Sequence, residues 1–349
     1  MVVIGGGPAG SCAASMAANA GLSVVLFERD KFPRDHIGES LLPASMPILR
    51  ELGVEAEIAA AGFPVKYGAT MVWGSGSEPW TWSFRETNQE YTSAYQVNRS
   101  EFDMILLNNA QLIGVDVREE NQVTEVIFCD ERAVGVRCNN RLGAETFIQS
   151  RMVIDCSGQS SLISRARNLR QWDDSFQNLA IYGYFENATP LTTPNENNIF
   201  IESFSEGWVW NIPLKDNIAS VGIVLDSKKA SRDLQSSDVE NYFQRNLSYT
   251  KETSRMLKSA RPLKSPKIVK DWSYTSSQIA GLSWVLAGDA ACFIDPLFSS
   301  GVHMALMSGV LASAYAVTAL SDPDMEIATA EVYEDMIRRE YSLFRELAQ

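Results

Sequence analysis

"VVIGGGPAGS", residues 2–11, opens with a short apolar run and then places Gly5, Gly7 and Gly10 in GxGxxG spacing, with Pro8 and Ala9 inside the turn. Working outward, "AASMAANAGLSVVLFERD", residues 13–30, supplies a helix of small residues, a second apolar strand and Glu28 at its end, followed by Arg29. Each part has a mechanical reason. Gly5 permits a tight turn, Gly7 lets the backbone approach a pyrophosphate, and Gly10 lets the helix pack close on the sheet. Glu28 stands about 20 residues on, where an acid reaches a ribose hydroxyl. The strand, glycine turn, helix, strand and acid together predict a βαβ dinucleotide site.

The remaining composition limits what such a site serves. The chain has 349 residues, 45% of them apolar, which is enough for one large core or two connected ones. A formal charge of −13 and the lack of any Lys/Arg run argue against a nucleic-acid partner. Cys12, Cys129, Cys138, Cys156 and Cys292 are odd in number and never in CxxC spacing, so neither a disulfide framework nor a metal site is expected, and a cytoplasmic location fits. "GVHMALMSGVLASAYAVTAL", residues 301–320, is long enough to cross a membrane, yet it carries His303 and several serines without flanking anchor charges. It is expected to be a buried helix rather than a span.

Three further segments extend the dinucleotide site. "VNRSEFDMILLNNAQLIG", residues 97–114, is an amphipathic helix with Arg99 at its start. "MVIDCSGQSSLISRAR", residues 152–167, predicts a strand, a glycine turn and a helix start, with Asp155, Gly158 and Arg165. "LSWVLAGDAACFIDPLFSSGVHMAL", residues 282–306, predicts a strand, Gly288-Asp289, a loop through Pro296, and the apolar helix from Gly301 and Val302. In this order the segments resemble the FAD-binding pattern of aromatic-hydroxylase-type flavoproteins. The resemblance implies that Asp289 holds the ribityl chain and that Arg99 lies near the FAD.

Between these pieces lie "KYGATMVWG", "WTWSF", "LAIYGYFE", "NNIFIESF", "GWVWNIPL" and "IASVGIVL", whose alternation and spacing predict an antiparallel sheet. The expected fold is therefore α/β, a Rossmann-like FAD domain with parallel sheet over residues 1–65, 96–170 and 272–349. The inserted antiparallel-sheet substrate domain takes residues 66–95 and 171–271. In "GWVWNIPL", residues 207–214, alternation puts Trp208 and Trp210 on one face, either as packed core or as a wall toward the cofactor.

Trp208, Trp210, Ile212 and Pro213 form a WxWxIP pattern that resembles the signature of flavin-dependent halogenases. "ERDKFPRDHIGESLLP" and "FPVKYGATMVWG" are similar to the phenol- and pyrrole-acting branch. The resemblance runs to about residue 345. It implies that FADH2 and O2, with chloride or bromide, generate hypohalous acid, which travels through a tunnel to a lysine, here Lys66, beside an aromatic substrate. A reduced flavin with oxygen attacks any electron-rich ring in reach, so two indoles are a suitable plug that lets a halide in and keeps the ring out. The resemblance places halide on the amides of Ser300 and Gly301. That helix start offers unpaired N–H groups and a positive dipole end, which could equally stabilise the reduced flavin.

Lys66 follows Phe63-Pro64-Val65, so it is either a cation among apolar neighbours or a surface lysine lying along the sheet. Burial lowers a lysine pKa by up to about 3 to 5 units. A neutral amine could be halogenated, whereas an ammonium could only hydrogen-bond and polarise hypohalous acid. Glu39 and Ser40 are expected close to the isoalloxazine. His36 and His303 are expected to pack or hydrogen-bond rather than act as bases. The tryptophan-acting branch has Pro-Leu-Glu-Ser-Thr-Gly where this chain has "PLFSSG", so Phe298 stands in place of an acid and a phenol or pyrrole is the expected substrate. Relatives continue beyond a point like "YEDMIRREYSLFRELAQ" with a helical segment; a chain ending there would leave a site open to a substrate carried on a carrier protein. Reduced flavin is expected from a separate reductase. Two other readings share much of the pattern: a flavin aromatic monooxygenase, and a non-catalytic binding protein on the FAD fold.

Overall fold

The structure, a computed structural model, describes residues 1–74 and 78–348, with residues 270–272 described by backbone alone. Residues 75–77, inside the expected sheet segment 66–95, lie outside the described residues. The opening stretch folds as its spacing demands. Val2–Ile4 is a strand, Pro8–Asn19 a helix and Val25–Phe27 the next strand. Val2 pairs in parallel with both Val25 and Val153, which centres this strand in a six-stranded sheet. That sheet is parallel except for its edge, where Ala280–Gly281 turns back against Trp284–Leu286.

The first helix carries almost no bulk, and its neighbours use that. An added Cβ at Gly10 would lie 1.9 Å from the Gly5 carbonyl oxygen, and one at Gly309 would lie 2.6 Å from that of Ala9. Close approach therefore locks the helix between the sheet and the apolar helix Gly301–Ser321. By length and hydropathy the latter could cross a membrane, but 56% of its most apolar window is buried in the protein. It is a core helix. The last helix, Glu326–Ala348, packs Tyr333, Ile337 and Tyr341 into the same core.

The second large sheet has eight strands, with Gly207–Leu214 between Ile199–Phe204 and Ile218–Asp226. The expectation of a wholly antiparallel sheet is corrected at one seam: Ile199–Phe204 runs parallel to Gly68–Val72, with Ile199 opposite Ala69. No hairpin joins these strands, so nothing local forces them antiparallel, and the long connection allows the parallel pairing. A three-stranded antiparallel meander over Asn121–Cys129, Arg132–Asn140 and Glu145–Gln149 was not anticipated. The strand Lys267–Ser276 pairs with Arg170–Glu186 and so runs through the expected division at 271/272.

Candidate functional site

A cavity of about 540 Å³ runs between the two large sheets. At one end Gly5, Gly7, Pro8 and Ala9 form its floor, with Glu28 and Arg29 beside them. Glu28 is buried and its carboxylate accepts the backbone N–H groups of Gly6 and Asp30 at 2.7 and 2.8 Å, which fixes its orientation at the strand end. The first helix starts at Pro8 with no side-chain cap and no acid in its first turn, so its free amides and positive dipole end are available to a diphosphate. Gly158 lines the same end, whereas Gly10 sits behind it as a packing residue. Asp155 is also behind the wall. Its carboxylate accepts from the amides of Ser157 and Ile163, so it braces the turn that presents Gly158.

The middle of the cavity is charged. Arg99 is buried and donates through Nε and Nη2 to the two oxygens of Asp103 at 2.8 and 3.0 Å, while Nη1 donates to the Ile37 carbonyl. The same carboxylate accepts from Arg34, at 3.0 Å, and Arg34 also lines the cavity beside Gly7. Arg34 and Asp103 were missed from sequence; the i, i+4 spacing of Arg99 and Asp103 was the available signal. Asp289, half-buried, lines the cavity together with Gly288, and burial pushes its carboxyl up to about 6 against the opposing pull of Arg99. Among the described residues the Asp289 carboxylate makes no hydrogen bond. Glycine turn, strand-end acid, basic centre and an unengaged acid fit FAD, with Asp289 free for ribityl hydroxyls.

The far end is aromatic. Trp208 and Trp210 lie on one face as alternation required, ring centres 5.9 Å apart, and form the wall with Ile199 and Ile212. Tyr182 joins them at 6.5 Å from Trp210. Trp210 is seated over Gly222 on the adjacent strand, where a Cβ would come within 2.1 Å of its ring, and its indole N–H donates to Ser220 at 3.3 Å. Thus the wall is both core and cavity lining. Phe298 packs against this cluster, and Pro296, Ser299, Gly301 and Val302 close the cavity beneath it. Ser300 is the N-terminal cap position of the apolar helix, buried behind Gly301.

Glu39 and Ser40 border the cavity. Glu39 accepts from the Tyr184 hydroxyl at 2.9 Å and from the Gly38 amide at 3.0 Å, and burial raises its pKa. Lys66 is only 1% exposed, which answers the surface alternative. Its amine donates to Ser40 Oγ at 2.8 Å and to the Leu41 carbonyl at 3.0 Å, and lies 5.2 Å from the centre of the Phe84 ring. No carboxylate pairs with it among the described residues, and desolvation lowers its pKa to about 7. Lys66 does not itself line the cavity; Ser40 stands between. His36 lines the cavity with Nδ1 2.8 Å from the Ile37 carbonyl oxygen, and His303 packs edge-on to Phe344.

The profile of the tryptophan halogenase family matches residues 1–93 and 85–349. The chain belongs to the flavin-dependent halogenases. A tryptophan 2-halogenase of Chondromyces crocatus is 37% identical over 338 residues, covering 96% of this chain and 64% of its own length. A 1H-pyrrole-2-carbonyl-[peptidyl-carrier protein] chlorinase of Pseudomonas fluorescens Pf-5 is 34% identical over 364 residues, covering 97% and 80%. The myxobacterial chondrochloren halogenase CndH superposes with a TM-score of 0.94 at 41% identity, covering 99% of this chain and 80% of that one. The chain thus spans 64% to 80% of the length of these relatives.

Proposed function

We propose that this halogenase uses FADH2, O2 and chloride or bromide to halogenate an electron-rich phenolic or pyrrolic ring, free or tethered to a carrier protein. The observation that carries the reading is a fully buried, uncharged-partnered Lys66 one residue away from a cavity walled by two tryptophans. Bound as FADH2, the cofactor supplies the electrons with which O2 and halide become hypohalous acid. Glu28, Arg99 and Asp289 hold it, and the first helix's N-terminus takes its diphosphate. The start of the apolar helix, at Ser300 and Gly301, holds halide. The indoles keep the ring away from the flavin, so small hypohalous acid must travel to Lys66, and Lys66 places the halogen on the ring.

The substrate class is supported by Phe298, which stands where the tryptophan-acting branch has a glutamate, the only acid of that turn being Asp295, whose carboxylate is engaged by the Leu297 amide and the Asn178 side chain, and by the carrier-bound pyrrole named for one relative. A separate flavin reductase is proposed because the sequence holds a single GxGxxG and no second nicotinamide site. The test is mass spectrometry of phenols, pyrroles, tryptophan and a carrier-loaded pyrrole acid after incubation with the protein, a flavin reductase, NADH, oxygen and bromide or chloride. Halogenated phenol or pyrrole is expected. Exclusive turnover of tryptophan would overturn the substrate class, and hydroxylated product with none halogenated would identify a monooxygenase. NADH without the reductase should leave the bound FAD oxidised.

A further inference from the structure

We infer that Ser40 is the proton relay through which hypohalous acid in the cavity reacts with Lys66. Among the described residues, Ser40 is the side chain that both lines the cavity and hydrogen-bonds the lysine amine. It is 4% exposed and held by backbone pairing to Gln96, while the next residue, Leu41, offers its carbonyl to the same amine. The Ser40 oxygen accepts from Lys66 Nζ at 2.8 Å, and no described acceptor takes the serine's own proton. A hydroxyl is donor and acceptor at once, so this proton is free to point at a small molecule entering from the cavity. Leu41 and Ser40 together also aim the amine's lone pair, since two of its N–H bonds are already directed.

The step balances without a further reactant. The neutral amine attacks the halogen of hypohalous acid, the N–X bond forms and the O–X bond breaks. The N–H proton passes to Ser40 Oγ while the Ser40 proton passes to the departing oxygen, which leaves as water. The halogen keeps its oxidation level and is later exchanged for a ring proton, restoring the amine. Without the relay the leaving group would depart as hydroxide at a buried position beside Ser40 and Lys66, with no proton donated to it, which is costly.

This inference rests on the proposed role of Lys66, and the variants separate the two. The readout is halogenated product per FADH2 consumed, with kcat and KM for the aromatic substrate and with FAD absorbance to count loaded protein. Ser40→Ala is expected to lower coupling by about 100-fold, the lower end of what positioned proton transfer supplies, with KM for the aromatic unchanged. Ser40→Thr and Ser40→Val form a pair of near-equal shape that differ in the hydroxyl, so Thr should recover most of the coupling and Val should not. Wild-type coupling in Ser40→Ala, or equal coupling in the Thr and Val variants, would overturn the relay. If Lys66→Met is inactive while Ser40→Ala is normal, only the relay fails; if Lys66→Met halogenates normally, both readings fall.

Discussion

The two ends of the cavity are built in different ways. At the end proposed to take the dinucleotide the groups on offer are backbone amides, a helix terminus and one strand-end acid, contributed mainly by residues 5–28. At the aromatic end the working groups come from far apart: Ser40 and Lys66 are 26 residues apart, and the tryptophans lie more than 140 residues beyond Lys66. The first end is a local device whose spacing is its structure. The second exists only once a sheet has been assembled, including a parallel seam between Gly68–Val72 and Ile199–Phe204 that brings the Lys66 segment beside the tryptophan strand's neighbour. A change at the first end should therefore cost cofactor, and a change at the second should cost product while cofactor is retained.

The largest expected effect tests that division directly. Lys66→Met keeps the length and apolar stem but removes the nitrogen, so the fold should survive and FADH2 should still be consumed while halogenated product falls to background. Its stability should change in a second, independent way. Lys66 has a folded pKa of about 7, below its ordinary value of 10.5, so between these pH values the unfolded chain binds the extra proton. Stability contributed by this group then rises with pH from about 7 toward 10.5 and is flat below 7. Lys66→Met should remove that slope, which denaturation midpoints at pH 7, 8 and 9 would show. An unchanged slope would mean the amine is not held neutral in the fold.

Two glycine substitutions set one end against the other. At Gly10 an added methyl must displace the Gly5 carbonyl, in the turn proposed to receive the diphosphate, so Gly10→Ala should lose bound FAD and cost at least about 1 to 3 kcal/mol of stability. Gly222→Ala instead pushes on the Trp210 ring from the neighbouring strand, at a similar packing cost, but should leave FAD in place. Absorbance of the purified variants decides between them. Loss of FAD from Gly222→Ala would show that the wall also holds the cofactor.

The same contrast explains what the sequence could disclose. Gly5, Gly7 and Glu28 were legible because strand, turn and acid are consecutive, and Trp208 and Trp210 shared a face because alternation requires it. Lys66 was recognisable as a cation among apolar neighbours, but its burial is set by Ser40, Leu41 and Phe84, none of which is adjacent to it in the chain. Asp155 was expected with the cofactor because its segment resembles the FAD-binding pattern; the structure turns its carboxylate onto the amides of Ser157 and Ile163 instead. The Arg34–Asp103–Arg99 cluster needed tertiary structure, since one carboxylate serves two cations that are 65 residues apart. Hydrogen-bond partners, rather than residue types, separated these cases.

The smallest expected effect is on the wall itself. Trp208→Phe and Trp210→Phe each keep an aromatic ring while shortening it, and so shrink the barrier without opening the large hole that alanine would leave at about 3 to 5 kcal/mol. Trp210→Phe also gives up the 3.3 Å indole donation to Ser220, a net loss of about 1 kcal/mol. FAD should remain bound in both variants, because the groups proposed to hold it lie elsewhere in the cavity. The division predicts instead a change in where the oxidant goes: more peroxide released, or more hydroxylated ring, per halogenation. Trp208, which borders the cavity and is tied to Trp210 only by ring contact, should show this shift with the smaller stability loss. Unchanged product ratios in both would make the indoles ordinary core, and the separation of ring from flavin would have to come from elsewhere in the cavity.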